Sequence, residues 1–273
     1  MMQRISVLTR YLSKTMLFSL SGVLYLLVTL AFWFLLFNPQ QQTPDEAYYQ
    51  LIIGGFGAAM AFLVTLSVAA RANSAEHYPF MVRLQSRVEF VTAVLASSVL
   101  VTLFYQLVLT LLALINGPHL TLGHILEIPP LWLAPMLLAA VLALHAFDFI
   151  TIGWSRIYVF GLLAILLFGQ GLKNDSLAST VTTFSQITLN QGWVGTSTRL
   201  ENYANSLSLT DDNVVSRLFG FVFWPFKALA DAITNGYFTA NQALAPAILL
   251  LYATVLFLLA VDLFANKDLE FTE

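Results

Sequence analysis

His145 and Asp148 stand three residues apart, which puts both on one face of a helix, and Arg156 follows across a short turn. At the end of a membrane helix such a trio is able to relay a proton, but a satisfied interfacial cluster is the commoner meaning of this composition. His119, His124 and Glu127 bring imidazole and carboxylate ligands into one stretch, but "GPHLTLGHILEIPP" has no periodicity that would fix them on a single metal. Glu89 and Asp262 lie at the ends of apolar runs and read as solvated helix termini. Cysteine is absent, which removes disulfides, thiolate nucleophiles and thiolate metal centres. No G-x-x-x-x-G-K-[ST] occurs, so the chain carries no P-loop of its own for a nucleotide phosphate. The residues therefore indicate neither an enzyme nor a cofactor or metal held by this chain.

The elements that would position these groups are apolar. The 273 residues are 58% hydrophobic and 10% charged, against about 25% charged in soluble proteins, so the expected class is an all-α integral membrane protein. With a net charge of −3 and no basic stripe, nucleic acid is not an expected partner. Six runs approach the ~20 residues that cross a bilayer: Met16–Phe37, Leu51–Ala70, Phe90–Ile115, Leu131–Phe147, Ile157–Leu172 and Ala243–Val261. Lys and Arg fall on alternate sides of them. One side takes Arg4, Arg10, Lys14, Arg71, Arg83, Arg87, Arg156 and Lys267, while the short loops 38–50 and 116–130 carry none. By the positive-inside rule both termini are expected to be cytoplasmic; the expected location is the cell (inner) membrane.

Residues 1–15, with Ile5, Leu8 and Leu12 on one face and Arg4 and Arg10 elsewhere, are expected to form an amphipathic helix on the inner leaflet. Spans one to five then occupy 16–172, with a cytoplasmic loop at 71–89; span six occupies 243–264 and a tail 265–273. Between them, 173–242 is the one long outer segment. Its first half is polar and Ser/Thr/Asn-rich, with β-prone pieces and no periodic helix. In its second half Arg217, Lys227 and Asp231 argue against a seventh span, Pro225 is expected to break the helix, and one or two interfacial or re-entrant helices follow, with Trp224 at the headgroups. Within the second run, Gly54/Ala58 and Gly57/Ala61 are small-xxx-small pairs, suited to helix packing within the chain or across a dimer.

The inner stretch "HYPFMVRLQSRVEF", residues 77–90, sets apolar Phe80, Met81 and Leu84 among Arg83 and Arg87, with Pro79 before them. An apolar anchor with a charged rim suits insertion into a cleft of a soluble partner. The layout of amphipathic helix, two spans, charged inner loop, three spans, outer helical element and last span resembles the permease subunit of type-two ATP-binding-cassette exporters. That family's inner loop reads like E-R-E-x-G-T-L-x-x-L-L-x-x-P-V-S-R-x-E-F, and this chain matches its end with Ser86, Arg87, Glu89 and Phe90. It lacks the Gly-Thr pair and the Pro-Val, and has His77, Tyr78 and Pro79 near the first of these. "WPFKALADAITNG", Trp224 to Gly236, is similar to the element such permeases place before their last span.

The resemblance implies a coupling helix in which Pro79, Phe80, Met81, Arg83, Leu84, Ser86 and Arg87 contact a separate ATPase subunit that binds ATP and Mg. It also implies a second permease copy or sister chain, a surround of membrane lipid, and an outer gate at Trp224, Pro225 and Phe226. The expected function is export of a hydrophobic or amphipathic substrate. A membrane subunit that anchors or assembles a larger complex without transporting is the alternative.

Overall fold

A computed structural model describes residues 2–37, 46–73, 86–116, 122–146, 161, 181–183, 185–186, 189, 194–209, 214–235 and 239–266. Among them are eight long α-helices: α1 Met2–Leu17, α2 Leu20–Leu36, α3 Glu46–Ala72, α4 Arg87–Asn116, α5 Leu122–His145, α6 Val194–Leu209, α7 Val214–Asn235 and α8 Ala245–Asn266. A short 3-10 turn, Gln242–Leu244, leads into α8, and no strand occurs among the described residues. The chain divides into two compact units, residues 1–159 with 225–273 and residues 160–224.

In the larger unit α3 packs against both α4 and α5; α8 lies on α5, and α1 and α2 lie on α4. Three helical stretches are long and apolar enough to cross a membrane: Ala47–Ala72, Arg87–Leu114 and Gln242–Ala265. A fourth is reached if α1 and α2, bent by 67° at their junction, count as one broken span. The protein thus has the build of an all-helical membrane protein. Half of the most apolar window of α3 and of α4 is buried, against 22% of that in α8, so the first two are interior helices and α8 is peripheral. Leu100, Phe104, Leu107 and Leu111 form an exposed apolar stripe on α4, and Leu251, Val255 and Leu258 another on α8. In water such stripes would be a liability; in hydrocarbon they are the favoured outer surface.

Several boundaries differ from those the apolar runs suggest. The first run is cut by the bend, and the 17 residues of α2 rise only ~26 Å, short of a ~30 Å hydrocarbon core. By contrast α3 starts at Glu46, ahead of its apolar run, because Tyr48 and Tyr49 pack on Phe37; the Phe37 and Tyr49 rings lie 4.9 Å apart. α5 begins at Leu122 and passes through Pro129 and Pro130, whose fixed φ suits a helix although their nitrogens donate nothing. Its apolar part is Leu131–His145, shorter than a full span.

Pro225 does not break α7, which continues from Val214 to Asn235. A proline inside a helix costs ~3 kcal/mol; here one face is buried through Pro225, Ala228, Leu229, Ala232 and Ile233, while Lys227 and Asp231 stay exposed. α7 is not among the helices apolar enough to span. In the smaller unit, residues 194–209 form a helix where the sequence suggested none; Ser197 and Ala204 are buried on it, and the Ser185 hydroxyl meets the Ser197 hydroxyl and donates to its carbonyl, both at 3.0 Å. The fifth run, 157–172, lies outside the described residues apart from Gly161.

Hydroxyls inside the bundle are satisfied mostly by their own helices. Thr65 donates to Ala61 O (2.6 Å), Ser98 to Val94 O (2.8 Å) and Thr110 to Gln106 O (2.8 Å), the usual way of carrying polar side chains in an apolar helix. Other polar side chains join helices: Trp33 Nε1 donates to Leu112 O (2.9 Å), Tyr25 meets Ser67 (2.7 Å) and Gln106 donates to Ile53 O (3.3 Å). The small residues of α3 serve packing within the chain. A Cβ on Gly54 would strike the Trp132 indole, one on Gly57 the Gln106 amide, and Ala61 packs with Met136 and Ala140, while Ala58 is partly buried.

Gly55, next to Gly54, has open space where its Cβ would be. Valine at the two positions carries the same intrinsic helix cost, so the comparison isolates packing. Gly54→Val should lower the stability of the detergent-solubilised chain by ~1–3 kcal/mol through overpacking, read as a loss in thermal midpoint beyond that of Gly55→Val. Equal losses would contradict the packing assigned to Trp132.

Candidate functional site

Residues 74–85, with Pro79, Phe80, Met81, Arg83 and Leu84, lie outside the described residues; both flanks of this segment are described. At its entry, Arg71 occupies the last turn of α3. Its guanidinium donates from Nη1 to Thr15 O (3.2 Å) and from Nη2 to the Ser21 hydroxyl (3.1 Å), so one side chain holds the end of α1 and the start of α2. The last carbonyls of a helix lack intrahelical donors, and those of α1 find them elsewhere. Phe18 N reaches Lys14 O (3.1 Å), Arg71 reaches Thr15 O, and both N and Oγ of Ser19 reach Met16 O (3.3 and 2.6 Å).

Ser19 works in both directions, because its hydroxyl also accepts from Gly22 N (3.2 Å) as the N-cap of α2. The bend is so tight that a Cβ on Gly22 would collide with the backbone carbonyls of Met16 and Leu17. Tyr105 of α4 seals the turn by donating to Gly22 O (2.8 Å).

At the exit, Ser86 starts α4: its hydroxyl accepts from Val88 N (3.2 Å) and its carbonyl from Glu89 N (3.1 Å). Ser86 and Glu89 have the S-x-x-E spacing of a helix start. Arg87 Nη1 donates to Phe264 O (3.3 Å) and Ala265 O (3.1 Å), two of the last carbonyls of α8. Phe90 and Phe264, both almost fully buried, stack below this contact with ring centres 6.4 Å apart and planes 17° from parallel. Glu89 is buried; its Oε2 lies 4.0 Å from Arg4 Nη1 on α1 and has no hydrogen-bond partner.

α1 therefore touches both flanks of 74–85, through Arg4 at its beginning and Thr15 at its end. Between these points Leu8, Leu12 and Met16 are buried in the core that α1 shares with α4, so the apolar face read from the sequence is covered by protein. What gathers here is a junction of helix ends, built from arginine forks on carbonyls, a capping serine and a stacked pair of phenylalanines. Among the described residues its contacts hold helix ends in position.

Among the expected site residues, Ser86 and Arg87 are placed and both are engaged within the chain. Trp224, Pro225 and Phe226 are consecutive residues of α7, Pro225 buried and the two aromatic rings partly so. His145 Nε2 lies 2.9 Å from Leu256 O of α8, whereas Asp148, Arg156 and His119 and the side chains of His124 and Glu127 are outside the described residues. No cluster of three metal-ligating side chains occurs among the described residues. The sequence reading missed the roles of Arg71, Arg4 and Phe264. A cation in the last turn of α3 was a visible signal, but its partners are far away in the chain. No protein-family model, curated protein or solved structure matches this chain.

The junction makes a graded prediction. Ser19→Ala should cost about 0.5–2 kcal/mol as a lost cap. Gly22→Ala should cost more than Ser19→Ala, because its methyl meets backbone that cannot step aside. Thermal unfolding in detergent ranks the two, and a neutral Gly22→Ala would contradict the bend.

Proposed function

We propose that the chain is the permease subunit of a type-two ATP-binding-cassette exporter, working with a separate ATPase subunit. The observation that carries this reading is that residues 74–85 are held at both flanks by arginines bonded to the ends of other helices. Flanks anchored in that way are firm points through which a soluble partner bound at 74–85 can pull. Phe80, Met81 and Leu84 supply an apolar anchor and Arg83 a charged rim. The likeness of Ser86, Arg87, Glu89 and Phe90 to the family's inner-loop ending supports the same reading, and the junction gives each of these residues a reason to be there.

In this account six spans cross the cell membrane with both termini cytoplasmic, on the side where the short loops carry their Lys and Arg. ATP and Mg bind in the partner subunit. Closure of two ATPase subunits moves residues 72–89 in each of two permease chains, the spans rearrange, and a hydrophobic or amphipathic substrate leaves toward the outer side. Residues 173–242 form the outer gate, with Trp224, Pro225 and Phe226 in it. A non-transporting assembly subunit is the second reading, favoured by one observation: Ser86, Arg87 and Glu89 all have partners inside the chain.

Expression with candidate ATPase subunits separates the two. The exporter reading predicts that an ATPase copurifies in stoichiometric amount and is lost with Phe80→Asp, while the variant keeps the thermal midpoint of the parent. A chain that purifies alone, or with an ATPase indifferent to Phe80→Asp, would favour the assembly subunit.

A further inference from the structure

We infer that Arg87 is a positioning residue that fastens the start of α4 to the end of the last helix, so that α8 moves with α4, while Arg71 independently fastens the end of α3 to the α1–α2 bend. The inference rests on 74–85 being the part a partner moves. The family resemblance implies a partner contact for Arg87; its hydrogen bonds here are to α8 of the same chain. One nitrogen of its guanidinium spans two successive carbonyls, Phe264 O and Ala265 O, at 3.3 and 3.1 Å. These belong to the last turn of α8, where carbonyls lack intrahelical donors and the helix dipole favours a cation.

Two further contacts make the fastening stiff. Phe90, one turn further along α4, stacks on Phe264, the residue whose carbonyl Arg87 grips. Ser86, one residue before Arg87, caps α4, so the arginine stands on the first turn of a rigid helix and not on a loose strand of loop. α8 is otherwise the least enclosed of the three membrane-length helices. Another contact of α8 is His145 Nε2 at Leu256 O, about two turns further back.

Arg71 has different recipients. Its two contacts, Thr15 O and Ser21 Oγ, lie on either side of the bend between α1 and α2. The end of α3 and the start of α4 are thus tied to different elements, and a pull on the two is divided between those elements. Substrate-facing rearrangement would begin at two places, the bend and the end of α8, in place of one.

The chain has no cysteine, so pairs of spin labels can be introduced without a prior background. One pair, Leu100→Cys on α4 with Leu263→Cys on α8, reads the exit fastening; a second, Val7→Cys on α1 with Leu63→Cys on α3, reads the entry. All four positions are exposed. Distances are measured by pulsed electron resonance on the full chain in nanodiscs of phosphatidylcholine and phosphatidylglycerol. Arg87→Gln is expected to broaden the 100/263 distribution, shift it to longer distance, and leave 7/63 unchanged; Arg71→Gln is expected to do the reverse. Arg87→Lys, which retains the charge without the planar fork, is read in the same way and serves if Arg87→Gln does not fold. An unchanged 100/263 distance on loss of Arg87 would overturn the inference, and so would broadening of both pairs in either variant, which is general loosening. Because no ATPase is present, failure of the exporter reading would leave these results standing.

Discussion

A helix leaves its last four carbonyls without intrahelical donors, and where helix ends crowd against apolar surroundings that deficit must be met by other parts of the chain. In this protein arginine side chains are among the donors. Arg71 completes the end of α1 and Arg87 the end of α8. Much else follows from that requirement. The chain must bend sharply after α1 for Thr15 O and Ser21 to share one guanidinium, and the bend requires glycine at position 22. α4 must start where Arg87 meets α8, and Ser86 supplies the cap that starts it. Charged hydrogen bonds of this kind contribute about 1.5–3 kcal/mol each, more than an exposed ion pair of the kind Arg4 forms with Glu89 would at the surface.

The Arg4–Glu89 contact is of a different sort. At 4.0 Å with a half-exposed arginine it is a weak pair, yet the Glu89 side chain is only 4% exposed. A buried carboxylate without good partners is costly, so the pair is better understood as what keeps Glu89 tolerable than as a source of stability. The capping spacing from Ser86 and the approach of Arg4 explain why an acid sits there at all.

How far the sequence discloses this is uneven. Long apolar runs announced α3, α4 and α8, since hydrocarbon thickness imposes a length that composition reveals directly. The amphipathic spacing of Ile5, Leu8 and Leu12 announced α1 but not what covers its apolar face, because lipid and protein are alike to periodicity. Pro225 misled, as did the polar stretch at 194–209: local rules weigh a proline or a run of serines, while burial of one face of α7 or of Ser197 and Ala204 on α6 is decided by tertiary contacts. At the junction, the S-x-x-E spacing of Ser86 and Glu89 was legible as a helix start. The partners of Arg87, 177 and 178 positions away in sequence, were not. A single sequence shows that an arginine is at a helix end; it does not show whose carbonyls it will meet.

The central claim is that the start of α1, the end of α3, the start of α4 and the end of α8 lie on one side of the membrane. Single cysteines at Gln3, Asn73 and Ala265, with Ala243 in the 3-10 turn that leads into α8 as the opposite-side control, can be labelled by a membrane-impermeant maleimide in right-side-out and inside-out vesicles. The account predicts that Gln3→Cys, Asn73→Cys and Ala265→Cys react only from the cytoplasmic face and Ala243→Cys only from the other. Labelling of Ala265→Cys from the face opposite to Asn73→Cys would contradict it, since Arg87 could not then reach the end of α8.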